Sequence, residues 1–266
     1  MQVWAIANQK GGVGKTTTTV SLAGLLAARG NRVLMLDLDP HGSLTAYFGH
    51  DPDAMERSVY NLFQAEAEGR PERPQSVIKT TKERNLYLLP ASSAMATLDR
   101  QLGNRGGMGL VVQGSLKQLE EKVDYVLVDC PPVLGILLIN AVAACDRLVI
   151  PVQTEFLALK GLERMRHTLT MVCRSKHLEI PSLVVPTLYD QRTRASVDSL
   201  SALRDTYDDV WQGVIPVDTR FRDLSRIGST GAPYVARMRG MQAYAQLLDD
   251  LLVQSSVQSQ TRQVAS

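Results

Sequence analysis

The chain has 266 residues, of which 44% are apolar and 21% charged, and its formal net charge is +2. That length permits one large α/β domain or two small ones, and the composition excludes a disordered, collagen-like or disulfide-stapled chain. So small a charge does not by itself imply nucleic acid, and any basic surface must come from local clustering.

In chain order, a strand over 3–7 leads through a Gly-rich turn into a helix over 15–29. A strand over 32–36 follows, then a polar surface excursion over 65–82 containing Pro71 and Pro74. Strand 86–89, helix 109–121 and strand 125–128 come next. The second half alternates strand 148–152, helix 157–174, strand 183–186, helix 195–206, strand 210–215 and helix 233–253. Most strands are continuously apolar and bounded by Gly, Pro or Asp, as strands covered on both faces are. The alternation predicts one doubly wound α/β domain over 1–253, with a mostly parallel sheet flanked by helices. A polar flexible tail is expected over 254–266.

Cys130, Cys145 and Cys173 are odd in number and none is closely spaced with another, which suggests neither a disulfide framework nor a metal ligand set. Buried thiols in a reducing compartment are the expectation. The amino terminus lacks a basic stretch and reaches Gly11-Gly12 too early for a secretory leader. No apolar run approaches the roughly 20 residues that span a bilayer, so a cytoplasmic protein is expected.

The segment Lys10-Gly11-Gly12-Val13-Gly14-Lys15-Thr16-Thr17 stands between the first strand and the first helix. In that setting a Gly-rich turn wraps phosphates with backbone N–H groups at a helix N-terminus. Glycine is required because a Cβ would block both positive φ and close approach to the phosphate. Lys15 would reach the β- and γ-phosphates of ATP, and the Thr16 hydroxyl would ligate Mg²⁺. The ordinary pattern G-x-x-x-x-G-K-S/T fails, because Gln9 occupies its first position and a second lysine, Lys10, opens the loop.

The second strand ends in Asp37-Leu38-Asp39-Pro40 and the strand over 125–128 ends in Asp129-Cys130-Pro131-Pro132. Alternation puts Asp37 and Asp39 on one side, at the carboxyl edge where open α/β sheets bind ligands. Carboxylates from two strands beside a phosphate loop suit Mg²⁺-nucleotide chemistry. Either Asp37 or Asp39 alone could instead cap the helix that Pro40 opens.

Lys10-Gly11-Gly12-Val13-Gly14-Lys15-Thr16, the Asp37-to-Pro40 segment and the stretch IPVDTRFRDLSRIG at 215–228 together resemble the deviant Walker A, or ParA/MinD, family of P-loop ATPases. The resemblance implies a Mg-dependent ATPase that dimerises around ATP. Lys10 would cross to the partner's nucleotide, Asp39 would orient the attacking water, and Asp37 and Asp129 would hold the Mg²⁺ shell. Thr187, Pro216 and Asp218 would lie near the adenine, although the Ile215-Pro216 stretch could simply end a strand.

Asp39-Pro40-His41-Gly42-Ser43 departs from the family's DPQGN and, with Tyr47-Phe48-Gly49-His50, resembles the members that place chemotaxis arrays at cell poles. The chain starts on its first strand, so no helix-turn-helix domain and no sequence-specific repression are expected. Arg192, Arg194, Arg220, Arg222 and Arg226, with Arg237 and Arg239 beyond, are candidates for non-specific DNA contact, or else form a solvated face with local acidic pairs. Arg220 matches an arginine of the family, whereas a family lysine is replaced within Ile227-Gly228-Ser229. The tail lacks the pattern of a membrane-binding amphipathic helix. The implied partners are a second copy of the chain, a ParB-like or polar-adaptor activator, and non-specific DNA, at the nucleoid or a cell pole. Competing readings are a ligase-type or reductase-like metabolic ATPase, or a regulator of transcription or flagellar number.

Overall fold

Every residue of the strand that follows Arg32 is buried, which demands cover on both faces of the sheet. The computed structural model describes residues 1–70, 72–103, 105–176 and 179–264, and Pro71 of the polar excursion lies outside them. The first half contains β1 (Gln2–Ile6), α1 (Lys15–Ala28), β2 (Val33–Asp37), α2 (Ser43–Tyr47), α3 (Val59–Ala67), β3 (Lys79–Thr80), β4 (Leu86–Leu89), α4 (Leu98–Leu102) and α5 (Val111–Lys117). The second contains β5 (Tyr125–Asp129), α6 (Ile136–Ala144), β6 (Arg147–Gln153), α7 (Phe156–Lys176), β7 (Ser182–Thr187), α8 (Arg194–Thr206), α9 (Arg220–Ile227) and α10 (Arg239–Val264).

The strand order is β3-β4-β2-β5-β1-β6-β7, parallel throughout except for the β3–β4 pair. Alternate side chains feed two cores. Val3, Ala5, Leu34, Leu36, Val126 and Val128 face α3, α5, α6 and α7. Trp4, Ile6, Val33, Met35 and Leu127 face α1 and α10. The doubly wound α/β expectation is met.

The strand expected over 210–215 does not form. This segment hydrogen-bonds to β7 at the Val184–Val210 bridge and through Ile215 N donating to Pro186 O at 2.8 Å, without a continuous ladder between them. Between those contacts the chain folds against its own indole: a Cβ on Gly213 would lie 2.4 Å from the Trp211 ring. Trp211 is held by Nε1 donating to Asp250 of α10 at 2.7 Å. β7 is therefore the edge strand on that side, and the two-residue, antiparallel β3 is the edge on the other. The helix expected over 233–253 is broken at Met238, whose backbone is extended, into a 3-10 turn Ala232–Arg237 and α10. The boundary expected at 253 falls inside α10, which runs to Val264.

Gly24 of α1 lies against the loop that follows α9: a Cβ there would come within 2.1 Å of Thr230 Oγ1. Thr230 is fixed in turn by Glu83, which accepts from its N at 2.9 Å and its Oγ1 at 2.7 Å. Gly24→Ala should therefore cost about 1–3 kcal/mol. Urea unfolding would read the loss as a lower midpoint; an unchanged midpoint would show that the loop yields without cost.

Candidate functional site

The register of three neighbouring strands builds the site. Asp129 at the end of β5 is the partner of Ile6 in β1 and of Asp37 in β2, so the turn after β1 and both carboxylates emerge level from one edge. Gly12 (φ 74°) and Gly14 (φ 91°) take the left-handed conformation, and a Cβ on Gly11, Gly12 or Gly14 would meet nothing within 4 Å. Backbone angle, not crowding, demands these glycines, and the space above them is open. The first N–H groups of α1, from Lys15 to Thr17, face that space without intrahelical acceptors.

Neighbouring strands hold the turn from beneath. Buried Asn8 donates from Nδ2 to Pro151 O at 2.7 Å and accepts from Lys10 N at 2.9 Å. Thr187, at the end of β7, donates to Val13 O at 2.8 Å. Lys15 is buried and its Nζ donates to Lys10 O at 3.2 Å, closing the turn into a ring. Thr187 thus braces the phosphate turn from below.

Asp37 and Asp129 are both fully buried. Asp37 Oδ2 accepts from Thr45 N at 2.8 Å and Thr45 Oγ1 at 2.7 Å, while Oδ1 accepts from Asp39 N at 3.1 Å. Asp129 Oδ2 accepts from Thr16 Oγ1 at 2.6 Å, but its Oδ1 is buried without a hydrogen-bond partner among the described residues. Burial first, and then the Asp129 carboxylate, raise the Asp37 pKa well above the usual carboxylate range. Burial likewise raises Asp129, against the Thr16 hydrogen bond and the Lys15 charge. An orphaned carboxylate oxygen beside a hydroxyl, short of positive charge, suits a divalent cation. Thr16 and Asp129 are the pair that fits it directly, because both oxygens of Asp37 already serve the segment after β2. Asp39 is half-buried at the mouth; Oδ1 accepts from His41 N at 3.0 Å, and Oδ2 has no partner among the described residues.

Lys10 points away from the turn and pairs with Glu155, in the bend between β6 and α7. It lines a cavity of about 620 Å³ with Val133, Leu134, Leu157, Lys160 and Arg164. The rim sets exposed apolar side chains among cations: Val133 is 67% exposed and Leu157 69%, beside Lys160 and Arg164. Sequence reasoning missed Glu155, Asn8 and Thr45. A buried asparagine ahead of a glycine turn was a readable signal for Asn8, but nothing local marks Glu155.

The expected adenine residues are not alike. Pro216 bridges to Tyr189, whereas Asp218 is occupied by Arg220, which donates from Nε at 2.8 Å and Nη2 at 2.7 Å. That guanidinium holds the Asp218 carboxyl below its usual range. Among the candidate DNA arginines, Arg192 is paired with Asp190 at 2.7 Å, Arg194 with Asp198 at 3.5 Å and Arg220 with Asp218. Arg222 and Arg226, on α9, are exposed and have no ion pair among the described residues; Arg237 and Arg239 are likewise exposed.

A family profile described as an AAA domain matches residues 1–180. The sporulation initiation inhibitor protein Soj of Bacillus subtilis is 35% identical over 254 residues, 94% of this chain and 98% of its own. The chromosome partitioning protein ParA of Caulobacter vibrioides is 34% identical over 257 residues, 95% of this chain and 94% of its own. A crystal structure named as cobyrinic acid a,c-diamide synthase from Mycobacterium smegmatis, with bound ADP and magnesium, superposes with a TM-score of 0.81. It is 34% identical and covers 94% of each chain.

An acid whose folded pKa is raised weakens the fold as pH climbs from its unfolded pKa, about 4, towards the raised value. Asp129→Asn should therefore raise the thermal midpoint of the metal-free protein near neutral pH, and the gain should vanish near pH 4. A scan in which the parent and Asp129→Asn shift in parallel would contradict buried charge at this position.

Proposed function

This chain belongs to the ParA/MinD family of P-loop ATPases, and we propose that it is a positioning ATPase that dimerises on Mg-ATP and hydrolyses it across the dimer interface. The observation that carries this reading is Lys10: a phosphate-loop lysine turned away from its own loop, beside an exposed apolar rim. Val133, Leu134 and Leu157 are exposed apolar side chains that a second copy would cover. Lys10, released from Glu155, would then place positive charge on the partner's transferring phosphate, as an arginine finger does.

The cofactors are ATP and Mg²⁺. The backbone of Gly11, Gly12, Val13 and Gly14 would cradle the phosphates, Lys15 would reach the β- and γ-phosphates, and Thr17 follows Thr16 in the first turn of α1. When bound between Thr16 and Asp129, Mg²⁺ supplies neutralising charge to the phosphate oxygens. Asp37 keeps the segment carrying Asp39 in place, and Asp39, whose Oδ2 has no partner among the described residues, would orient the attacking water. Pro216 would lie near the adenine, with Asp218 holding Arg220 beside it.

The names of the relatives support a role in partitioning. Arg222 and Arg226, with Arg237 and Arg239, offer charge without an ion pair among the described residues to a DNA track, while Arg192 and Arg220 are held by carboxylates and Arg194 lies 3.5 Å from Asp198. A ParB-like or polar-adaptor protein would stimulate hydrolysis and release the dimer, at the nucleoid or a cell pole. His41-Gly42-Ser43 after Asp39 favours the branch that positions chemotaxis arrays. No helix among the described residues is long and apolar enough to cross a membrane.

The name of the Mycobacterium smegmatis structure favours a second reading, ATP-dependent amide formation. Drawing ammonia from glutamine requires an activated thiolate. Burial pushes the thiols of Cys130, Cys145 and Cys173 up instead, which weighs against that chemistry.

Asp39→Ala should bind ATP and accumulate as a dimer in light scattering, and as a monomer with ADP. Lys10→Ala should lower ATP turnover about 10²-fold while still binding nucleotide. Wild-type turnover by Lys10→Ala would remove the trans role. Glutamine-dependent amide formation by the parent would replace the positioning reading with the second one. Retention of the trapped dimer on duplex DNA should fall in Arg222→Ala/Arg226→Ala and with added salt.

A further inference from the structure

The short helix α2 is attached directly to a site carboxylate. Asp37 Oδ2 takes both the N–H and the hydroxyl of Thr45, and Thr45 Oγ1 in turn accepts from Ala91 N at 2.8 Å. Its N-cap is Gly42 (φ 61°), three residues beyond Asp39, so the mouth of the site and α2 are one short piece of chain. Two residues past Thr45, the phenol of Tyr47 donates to Ser229 O at 2.7 Å. Ser229 belongs to the loop that closes α9, and its own N donates back to Leu224 O at 3.1 Å. The approach is close along the backbone as well: a Cβ on Gly228, the left-handed cap of α9, would stand 3.2 Å from Tyr47 O.

The other hydrogen bonds of this loop go elsewhere than the Asp37–Asp39 segment. Thr230 is held by Glu83, ahead of β4, and packs on Gly24 in the middle of α1. Beside the backbone approach to Gly228, the Tyr47 phenol is the hydrogen bond by which the segment behind Asp39 reaches the end of α9. Burial, together with the Glu83 carboxylate, keeps its phenol protonated and a donor. On α9 stand Arg222 and Arg226, exposed and without an ion pair among the described residues.

We propose that Tyr47 is a positioning residue that couples the nucleotide state of the Asp37–Asp39 segment to the arginine face of α9. The proposal rests on the nucleotide reading of the site and does not require that the partner of α9 be DNA. Engagement of Asp39 shifts α2, and the Tyr47–Ser229 bond transmits that shift to the end of α9; without the bond, α9 keeps one setting whatever the site holds.

Amide hydrogen exchange on the full-length protein, with and without Mg²⁺ and the analogue AMPPNP, tests this in the parent, Tyr47→Phe and Glu83→Gln. In the parent, the analogue should change exchange across α9 and its closing loop by about fivefold or more. Tyr47→Phe keeps the ring, so it should retain the thermal midpoint and bind the analogue within about twofold of the parent, yet lose most of the α9 response. Glu83→Gln should speed exchange of the loop in both states and preserve the response. A full response in Tyr47→Phe, or none in a parent that binds the analogue, would overturn the coupling. So would loss of the response in Glu83→Gln to the same degree, because general loosening would then explain it. A parent that fails to bind the analogue in calorimetry would instead remove the nucleotide reading, and this coupling with it.

Discussion

Two carboxylates buried level with one another at the ends of adjacent strands are an arrangement that a fold maintains only at a cost. Asp37 and Asp129 lie in register across β2 and β5, each raised in pKa by burial. In a low-dielectric setting each charge must be hydrogen-bonded, paired or neutralised. Asp37 is satisfied by chain that follows it, through Asp39 N and Thr45, whereas Asp129 has one oxygen served by Thr16 and the other unserved. The electrostatic deficit therefore sits beside the phosphate turn, and the local geometry follows from satisfying one acid and leaving the other incomplete.

The turn itself owes little to its own residues beyond φ angles. Asn8 ties it to β6, Thr187 ties it to β7, and Lys15 draws its start back over the first turn of α1. Three groups on three elements fix a backbone that would otherwise be free at three glycines, so donors are aligned before any ligand arrives. That pre-organisation depends on the sheet staying flat-packed between two cores, with Trp4 and Ile6 on one side of β1 and Val3 and Ala5 on the other.

Much of this was readable in the sequence, for identifiable reasons. Strands buried on both faces announce themselves as apolar runs closed by Asp or Gly, which located β1, β2, β4, β5, β6 and β7 to within a residue or two. The same rule failed over 210–215, where Val210, Trp211, Val214 and Ile215 imitate a strand while Gly213 bends the chain around the indole. α6 is apolar on nearly every face, so it offers no helical period to detect. The glycines, Lys15, Thr16 and the aspartates form a local motif and were legible. Glu155, 145 positions from Lys10, and Tyr47, 182 from Ser229, act through distance in sequence that only the fold closes.

The pairing of Lys10 with Glu155 bears on how turnover would depend on abundance. A solitary chain keeps that charge on its own carboxylate, where it cannot serve a neighbour's phosphate. Under a trans arrangement, isolated copies hold nucleotide idle, and the hydrolysis rate at low occupancy grows with the square of protein concentration rather than in proportion to it. Such a molecule measures local crowding: dilute copies diffuse without consuming ATP, and a crowded zone becomes a region of enhanced turnover with no further regulator.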